Sequence, residues 1–437
     1  MNTVDIIRKK RDGEPLTRAE IDHWISGTVS GEIPDYQTSA LLMAIRIRGM
    51  DDRETADLTD AMANSGARFA PGTFPGFSVD KHSTGGVGDT TTLVLIPLLA
   101  AAGLTIGKLS GRALGHTGGT IDKLESIPGF RTDLSKGEFL DLVKRHRLAL
   151  ADHTEDMVPA DRILYELRDV TATVDSLPLI VASIMSKKIA GGASGIVIDV
   201  KTGSGAFLPK LEDSRKLARA LVSIGTRLGR RMAALITDMS QPLGLMVGNS
   251  LEVMEAIDTL KGNGPEDLTA LCCELGAELL MFAEETDDRK GALERLNSLL
   301  CDGSALAKFE QLISNQRGNP AVIDDPSLLP RAARRVEARA PTGGTIARLD
   351  ALSVGQAANL LGAGRTKKED EIDPAVGIQL LQKVGDEVEG GDTLAVLHVN
   401  AEDHLDEACK LVESAYEIDG TGSPHQPPPL IVERIVG

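Results

Sequence analysis

The chain has 437 residues, 42% of them hydrophobic and 25% charged, with a net charge of -17; this length exceeds the roughly 250 to 300 residues at which one core stops growing, so two or more domains are expected. The acidic balance and the few aromatic side chains, 8 Phe, 3 Tyr and 1 Trp, argue against a surface for polyanions or stacked bases, so no nucleic acid is expected as a partner. Cys272, Cys273, Cys301 and Cys409 have neither zinc-site spacing nor the number a disulfide framework needs, and read as reduced thiols.

The first residues, Met1 to Gly13, lack the continuous apolar stretch of a secretory signal. Helical spacing predicts helices over Arg18 to Ser26, Tyr36 to Arg48 and Asp52 to Ser65, with Asp35 and Asp51 as N-caps. After the break at Ala70 to Gly76, short apolar runs at Phe77 to Val79 and Thr105 to Ile106 alternate with helices such as Thr92 to Ala102, which predicts an α/β domain. The apolar run Leu93 to Leu104 is too short to span a bilayer. No membrane segment is expected, and the cytoplasm is the expected compartment.

Helical spacing returns at Pro159 to Arg168 and Ser176 to Ile189, followed by a buried-strand pattern at Gly195 to Val200. The helical unit is therefore expected to be discontinuous, over 1–67 and 159–192, with the α/β domain over 72–158 and 193–333. From about Arg334 strand and turn patterns at Gly343 to Leu349 and Gly385 to Leu397 predict a C-terminal α+β subdomain over 334–437.

Two glycine-rich segments carry the chemistry. Lys81 to Thr92 (KHSTGGVGDTTT) lies between a strand predicted to end at Asp80 and a helix entered near Thr91. Glycines let backbone amides approach a ligand, and a helix N-terminus favours an anion. The loop has neither the Gly-Lys-Ser/Thr closure of a triphosphate site nor the G-x-G-x-x-G spacing of a dinucleotide fold. Lys108 to Glu125 (KLSGRALGHTGGTIDKLE) repeats the chemistry after the next predicted strand, with Lys108, Ser110 and Thr120 as donors. Two such loops after consecutive strands are expected at the carboxyl edge of one sheet, where ligands bind in α/β folds. A tight strand-to-helix turn would explain one of them but explains the pair poorly. Further on, Ser183 and Lys187 are four residues apart and share a helix face.

These segments, with Leu167 to Thr171, Asp199 to Phe207, Asp238 to Gly244, Leu360 to Arg365 and Lys368 to Asp373, resemble the pyrimidine-nucleoside phosphorylases and thymidine phosphorylases over essentially the whole chain. The resemblance implies a small all-α domain facing a large α/β domain with a central mixed sheet, plus a C-terminal α+β barrel-sandwich-like subdomain. It implies reversible phosphorolysis of thymidine, deoxyuridine or uridine by direct attack of phosphate at the anomeric carbon. Phosphate would be held by Lys81, Ser83, Thr92, Lys108, Ser110 and Thr120, and the pyrimidine by Arg168, Ser183 and Lys187. His82 would meet the 2-carbonyl oxygen, with Lys187 and Arg168 stabilising charge on the leaving base. The resemblance also implies a potassium ion held by Gly88, Thr90, Leu243, Met246 and Glu255, no organic cofactor, and a homodimer paired through the helices of Arg18 to Ser65.

The chain departs from that family at Asp152 to Met157, an acidic loop where relatives usually carry glutamine, glycine and asparagine, and at Met246, where alanine is common. The Gly385 to Leu397 pattern resembles biotinyl and lipoyl domains but has no modifiable lysine between methionines, so it reads as a structural piece. Two other activities fit parts of the sequence: a phosphoribosyltransferase of the anthranilate type using a diphosphate donor and magnesium, and a nucleoside-binding regulator without turnover.

Overall fold

The computed structural model describes all residues except 71, 113–117, 155, 285, 366, 368 and 369. Parts of the second glycine-rich loop, of the acidic 152–157 loop and of the 368–373 motif thus lie outside the described residues.

The helical unit begins with α1 (Thr3–Arg11), α2 (Arg18–Ser30), α3 (Asp35–Arg48) and α4 (Asp52–Ala63). Asp51 caps α4 as expected, in a reciprocal capping box with Glu54. Asp35 does not cap α3: Pro34 holds the N-cap position, and Asp35 is the first helical residue, where its charge still faces the positive end of the helix dipole. Two later helices, α8 (Pro159–Val170) and α9 (Leu177–Ala190), join this unit, and one apolar cluster runs from Ile6, Trp24 and Leu58 to Leu164 and Ala182.

The α/β unit opens with β1 (Val79–Ser83), α5 (Thr91–Ala101), β2 (Ile106–Ser110), α6 (Thr120–Glu125), α7 (Lys136–His146) and β3 (Leu148–Asp152). After α8 and α9 come β4 (Gly195–Thr202), α10 (Leu211–Arg227), β5 (Arg231–Asp238), β6 (Met246–Val247) and α11 (Asn249–Leu260). Parallel pairing orders β1, β4 and β5 in one sheet, and β4 is buried along its whole length, as a strand covered on both faces must be. β1 does not stop at Asp80 but continues to Ser83, so Lys81 and His82 sit on the strand itself.

The expectation of a single sheet under both loops holds only at one end. β2 pairs with β3 in a separate ladder, joined to β1 by the single bridge Ser78–Thr105. Beyond that bridge the Lys108 ammonium takes the place of a ladder amide, donating to the Lys81 carbonyl at 2.8 Å.

The C-terminal strands are β7 (Arg334–Arg339), β8 (Gly344–Leu349), β9 (Gly377–Leu380), β10 (Glu387–Val388), β11 (Thr393–Val399), β12 (Tyr416–Asp419) and β13 (Ile431–Val436). They form two small sheets, one of which takes β6 as its edge. β13 leaves this region and pairs antiparallel with β5, which makes the central sheet mixed. The 334–437 segment is thus stitched to the α/β unit in both directions.

Candidate active site

A cleft of about 280 Å³ opens between the carboxyl ends of β1 and β2 and one face of α9. It is lined by Lys81, His82, Ser83, Thr92, Lys108, Ser110, Thr120, Ser183 and Lys187, nine of the side chains expected at a phosphate and base site. β1 delivers the first three, the start of α5 delivers Thr92, β2 delivers Lys108 and Ser110, and α6 begins at Thr120.

Arg168 lies elsewhere. It is buried, and its guanidinium donates to the carbonyls of Thr173, Val174 and Leu179 at 3.3, 2.6 and 3.2 Å, outside the cleft lining. Burial lowers its pKa from the ordinary arginine value.

The cleft floor is a network of buried lysines and carboxylates that sequence reasoning missed. Asp80 accepts from Lys188 at 2.8 Å and lies 3.2 Å from the Lys108 ammonium. Burial opposes its charge, but those two ammonium groups hold its pKa down at about 2. Burial lowers the Lys108 ammonium, with Asp80 only partly compensating. Lys81 donates to Thr91 and sits 3.6 Å from Asp89. Burial would raise Asp89, yet Lys81, Lys201 and Lys123 together keep it well below the usual carboxylate range. Lys123 in turn donates to the Asp89 carbonyl at 2.9 Å and meets Glu252 at 2.5 Å. On the other wall, Lys187 pairs with the buried Asp161 at 2.6 Å. Lysines concentrated in a low-dielectric cleft, each held by a carboxylate below, supply the local positive field that an acidic chain needs to hold a small anion.

Two histidines share the cleft, His82 and His153. Burial and then the ammonium groups of Lys188 and Lys108 push His82 well below its ordinary value. Burial, Lys188, Lys187 and Lys108 push His153 down to about 3. Both imidazoles are therefore neutral at physiological pH, each with one donor and one acceptor nitrogen.

Behind the first loop lies a second cluster. Gly88 adopts φ +70°, and a side chain there would meet the carbonyl oxygens of Leu243 and, at 3.1 Å, Met246. Thr90 Oγ1 donates to Glu252 at 3.1 Å. The Glu255 carboxylate comes from α11; its Oε1 accepts from the Leu245 amide at 2.6 Å, while its buried Oε2 has no hydrogen-bond partner among the described residues. Burial raises this carboxyl to about 8, against the Leu245 hydrogen bond. Carbonyl oxygens beside a buried carboxylate oxygen are donors of the kind a hard cation takes, and Gly88 lies against the carbonyls of Leu243 and Met246.

Among the described residues, no helix is long and apolar enough to cross a membrane. The four cysteines are free thiols.

Three family models match the chain: the glycosyl transferase family helical bundle domain over residues 4–66, the glycosyl transferase family a/b domain over 76–306, and the pyrimidine nucleoside phosphorylase C-terminal domain over 345–419. The chain is 52% identical to a pyrimidine-nucleoside phosphorylase of Geobacillus stearothermophilus across 100% of both chains. It is 53% identical to the pyrimidine-nucleoside phosphorylase of Bacillus subtilis (strain 168), over 94% of this chain and 95% of that one. In three dimensions it is similar to anthranilate phosphoribosyltransferase from Thermus thermophilus, with a TM-score of 0.59 and 19% identity over 72% of this chain and 100% of that chain. That likeness is one of fold alone.

Proposed function

The chain belongs to the pyrimidine-nucleoside phosphorylase family, and from that premise we propose how its cleft carries out the phosphorolysis of a pyrimidine nucleoside to free base and α-(deoxy)ribose 1-phosphate. The phosphoribosyltransferase reading gives way: its support is a shared fold at 19% identity, against 52% identity across the full chain to a phosphorylase. The observation that carries the proposal is the single cleft that faces the lysine-rich ends of β1 and β2 toward Ser183 and Lys187 on α9.

Lys81, Ser83, Thr92, Lys108, Ser110 and Thr120 hold phosphate, and an oxygen of it attacks the anomeric carbon. No enzyme nucleophile is needed; the work is positioning and stabilising the negative charge that arrives on the base. Lys187 supplies positive charge to the leaving pyrimidine, and Ser183, one turn before it, meets a ring edge. Neutral His82 donates a hydrogen bond to the 2-carbonyl oxygen. Arg168 reaches the base by exchanging one of its three carbonyl partners as α8 and α9 close on the phosphate loops.

Gly88, Thr90, Leu243, Met246 and Glu255 would hold potassium, whose charge, when bound, would satisfy the buried carboxylate and fix the turn that leads into α5. Along α3 the residues Tyr36, Ala40, Met43 and Ile47 form an exposed stripe at helical spacing. Tyr36 is 74% and Ile47 70% exposed. A second copy of this chain is the occupant we propose, making a homodimer, and the cytoplasm is the compartment that fits four free thiols.

The deciding assay incubates thymidine, deoxyuridine, uridine and cytidine with phosphate, with and without potassium. Phosphate-dependent release of thymine or uracil without magnesium is the expected result; release that requires a diphosphate donor would overturn it. Light scattering coupled to chromatography checks the dimer, and a monomer at micromolar concentration would overturn that part.

A further inference from the structure

Phosphate and pyrimidine occupy the two ends of the ternary complex, and the sugar between them carries hydroxyl groups that lose water when the cleft fills. Buried hydroxyls need protein partners. Most of the cleft's polar side chains are already committed, to phosphate, to the base or to each other. Lys188 is tied to Asp80 at 2.8 Å. Arg112 is tied to Asp122 and Glu125 at 3.0 and 2.6 Å. Asp89 accepts from Thr91.

Among the described residues His153 is the exception. Its ring lines the cleft, and among the described residues nothing hydrogen-bonds to it; only its backbone amide is engaged, with Asp152 Oδ1 at 2.7 Å. Its position is also between the two ends. It follows β3 immediately, where Asp152 pairs in register with Ser110 of the phosphate side. It also feels Lys187 and Lys188 of the base side together with Lys108 of the phosphate side. A neutral imidazole presents one donor and one acceptor, which is what a hydroxyl offers in return.

We infer that His153 hydrogen-bonds a hydroxyl of the nucleoside sugar and so helps set the preference among ribose and deoxyribose substrates. The inference rests on the phosphorylase reading above. The bond lies in the reacting complex, so its loss lowers kcat/KM for the nucleoside and leaves phosphate binding alone.

The test compares the full-length wild type with His153→Ala and with His153→Phe, which keeps ring volume without donor or acceptor. Substrates are uridine, 2′-deoxyuridine, 3′-deoxyuridine and 5′-deoxyuridine, each with inorganic phosphate. Both variants are expected to lose about tenfold in kcat/KM on substrates that keep the contacted hydroxyl, the scale of one neutral hydrogen bond, with phosphate KM within about twofold. On the analogue lacking that hydroxyl, wild type and variants should agree within about twofold, because the bond is missing from both sides. His153→Gln, which keeps a donor and an acceptor, should retain more activity than either. A loss of equal size on all four substrates, or a rise in phosphate KM matching that for nucleoside, would overturn the inference. If the Ala variant does not fold, the Phe variant decides. Failure of the wild type to release uracil from every substrate would instead overturn the phosphorylase reading.

Discussion

The Lys187 ammonium lies 2.6 Å from Asp161 Oδ2, on the neighbouring helix, and the other oxygen of that carboxylate is buried without a hydrogen-bond partner among the described residues. The pair holds the Lys187 ammonium at the cleft wall, so its position depends on an aspartate that lies outside the cleft lining.

Lys187→Ala is expected to lower kcat/KM by about 10² to 10³ or more, the range for removing one preorganised group facing transition-state charge. It also leaves Asp161 buried alone; because Lys187 is 38% exposed, the stability lost is only on the order of 1 kcal/mol. Adding Asp161→Asn should restore the melting temperature and leave kcat/KM as low as in Lys187→Ala. Steady-state kinetics beside calorimetry separates the two effects, and near-normal turnover in Lys187→Ala would remove this residue from the base site.

On the phosphate wall, Ser110→Ala should raise phosphate KM about tenfold with nucleoside KM little changed, as for one hydrogen bond to an anion. Lys108→Met should cost more in both activity and stability, because the ammonium also bridges β2 to the Lys81 carbonyl and partners Asp80. Phosphate titrations at saturating nucleoside measure the first effect and thermal melts the second. An unchanged phosphate KM in both variants would place the anion elsewhere.

Potassium should raise the melting temperature of the wild type relative to choline at equal ionic strength, because a ligand that binds only the folded chain stabilises it by mass action. Glu255→Gln and Gly88→Ala should each abolish that increment. The first removes the carboxylate, and the second drives a methyl group into the Leu243 carbonyl. A potassium response that survives both changes would separate the cation from this cluster.

The two neutral histidines make the fold acid-sensitive in a definite direction. An unfolded chain binds protons at these residues near 6.5, whereas folded His153 resists them until about 3 and folded His82 also lies well below 6.5. Their contribution to stability is therefore fully present above 6.5 and is lost as pH falls through the folded values, at up to about 1.4 kcal/mol per pH unit for each site. His153→Gln should flatten the decline in denaturation free energy between pH 6 and 4. An identical slope in wild type and variant would show that the ring is not held neutral.

Much of the cleft was legible because its residues cluster in sequence. Lys81, His82 and Ser83 are consecutive, and Lys108, Ser110 and Thr120 share one glycine-rich segment, so local pattern reports them together. The supports beneath were not legible. Asp80 joins Lys108 and Lys188 from two other elements, and Asp161 reaches Lys187 across a helix pair; such contacts arise only when distant segments pack, and a lone aspartate beside a strand carries no mark of them. Arg168 shows the converse. The resemblance implies a base ligand there, and the three carbonyls that its guanidinium meets in this structure are announced by no spacing. The glutamate and carbonyl cluster around Gly88 came from resemblance, since carbonyl ligands leave no trace in residue type. At the level of the fold, the helical unit split over two stretches was readable from spacing, whereas the return of β13 to β5 was not.

That return bears on how the molecule comes apart. Three family models divide the sequence at 4–66, 76–306 and 345–419, yet Ile431–Val436 closes an edge of the sheet whose first strand carries His82, and Met246–Val247 gives a strand in exchange. Units that trade strands share one melting transition, because neither can lose its sheet without stripping an edge from the other. Evolutionary modules and cooperative units are therefore expected not to coincide here. A proteolytic cut near residue 340 should nick the chain without freeing a stable fragment, and the catalytic sheet should unfold with its C-terminal neighbour.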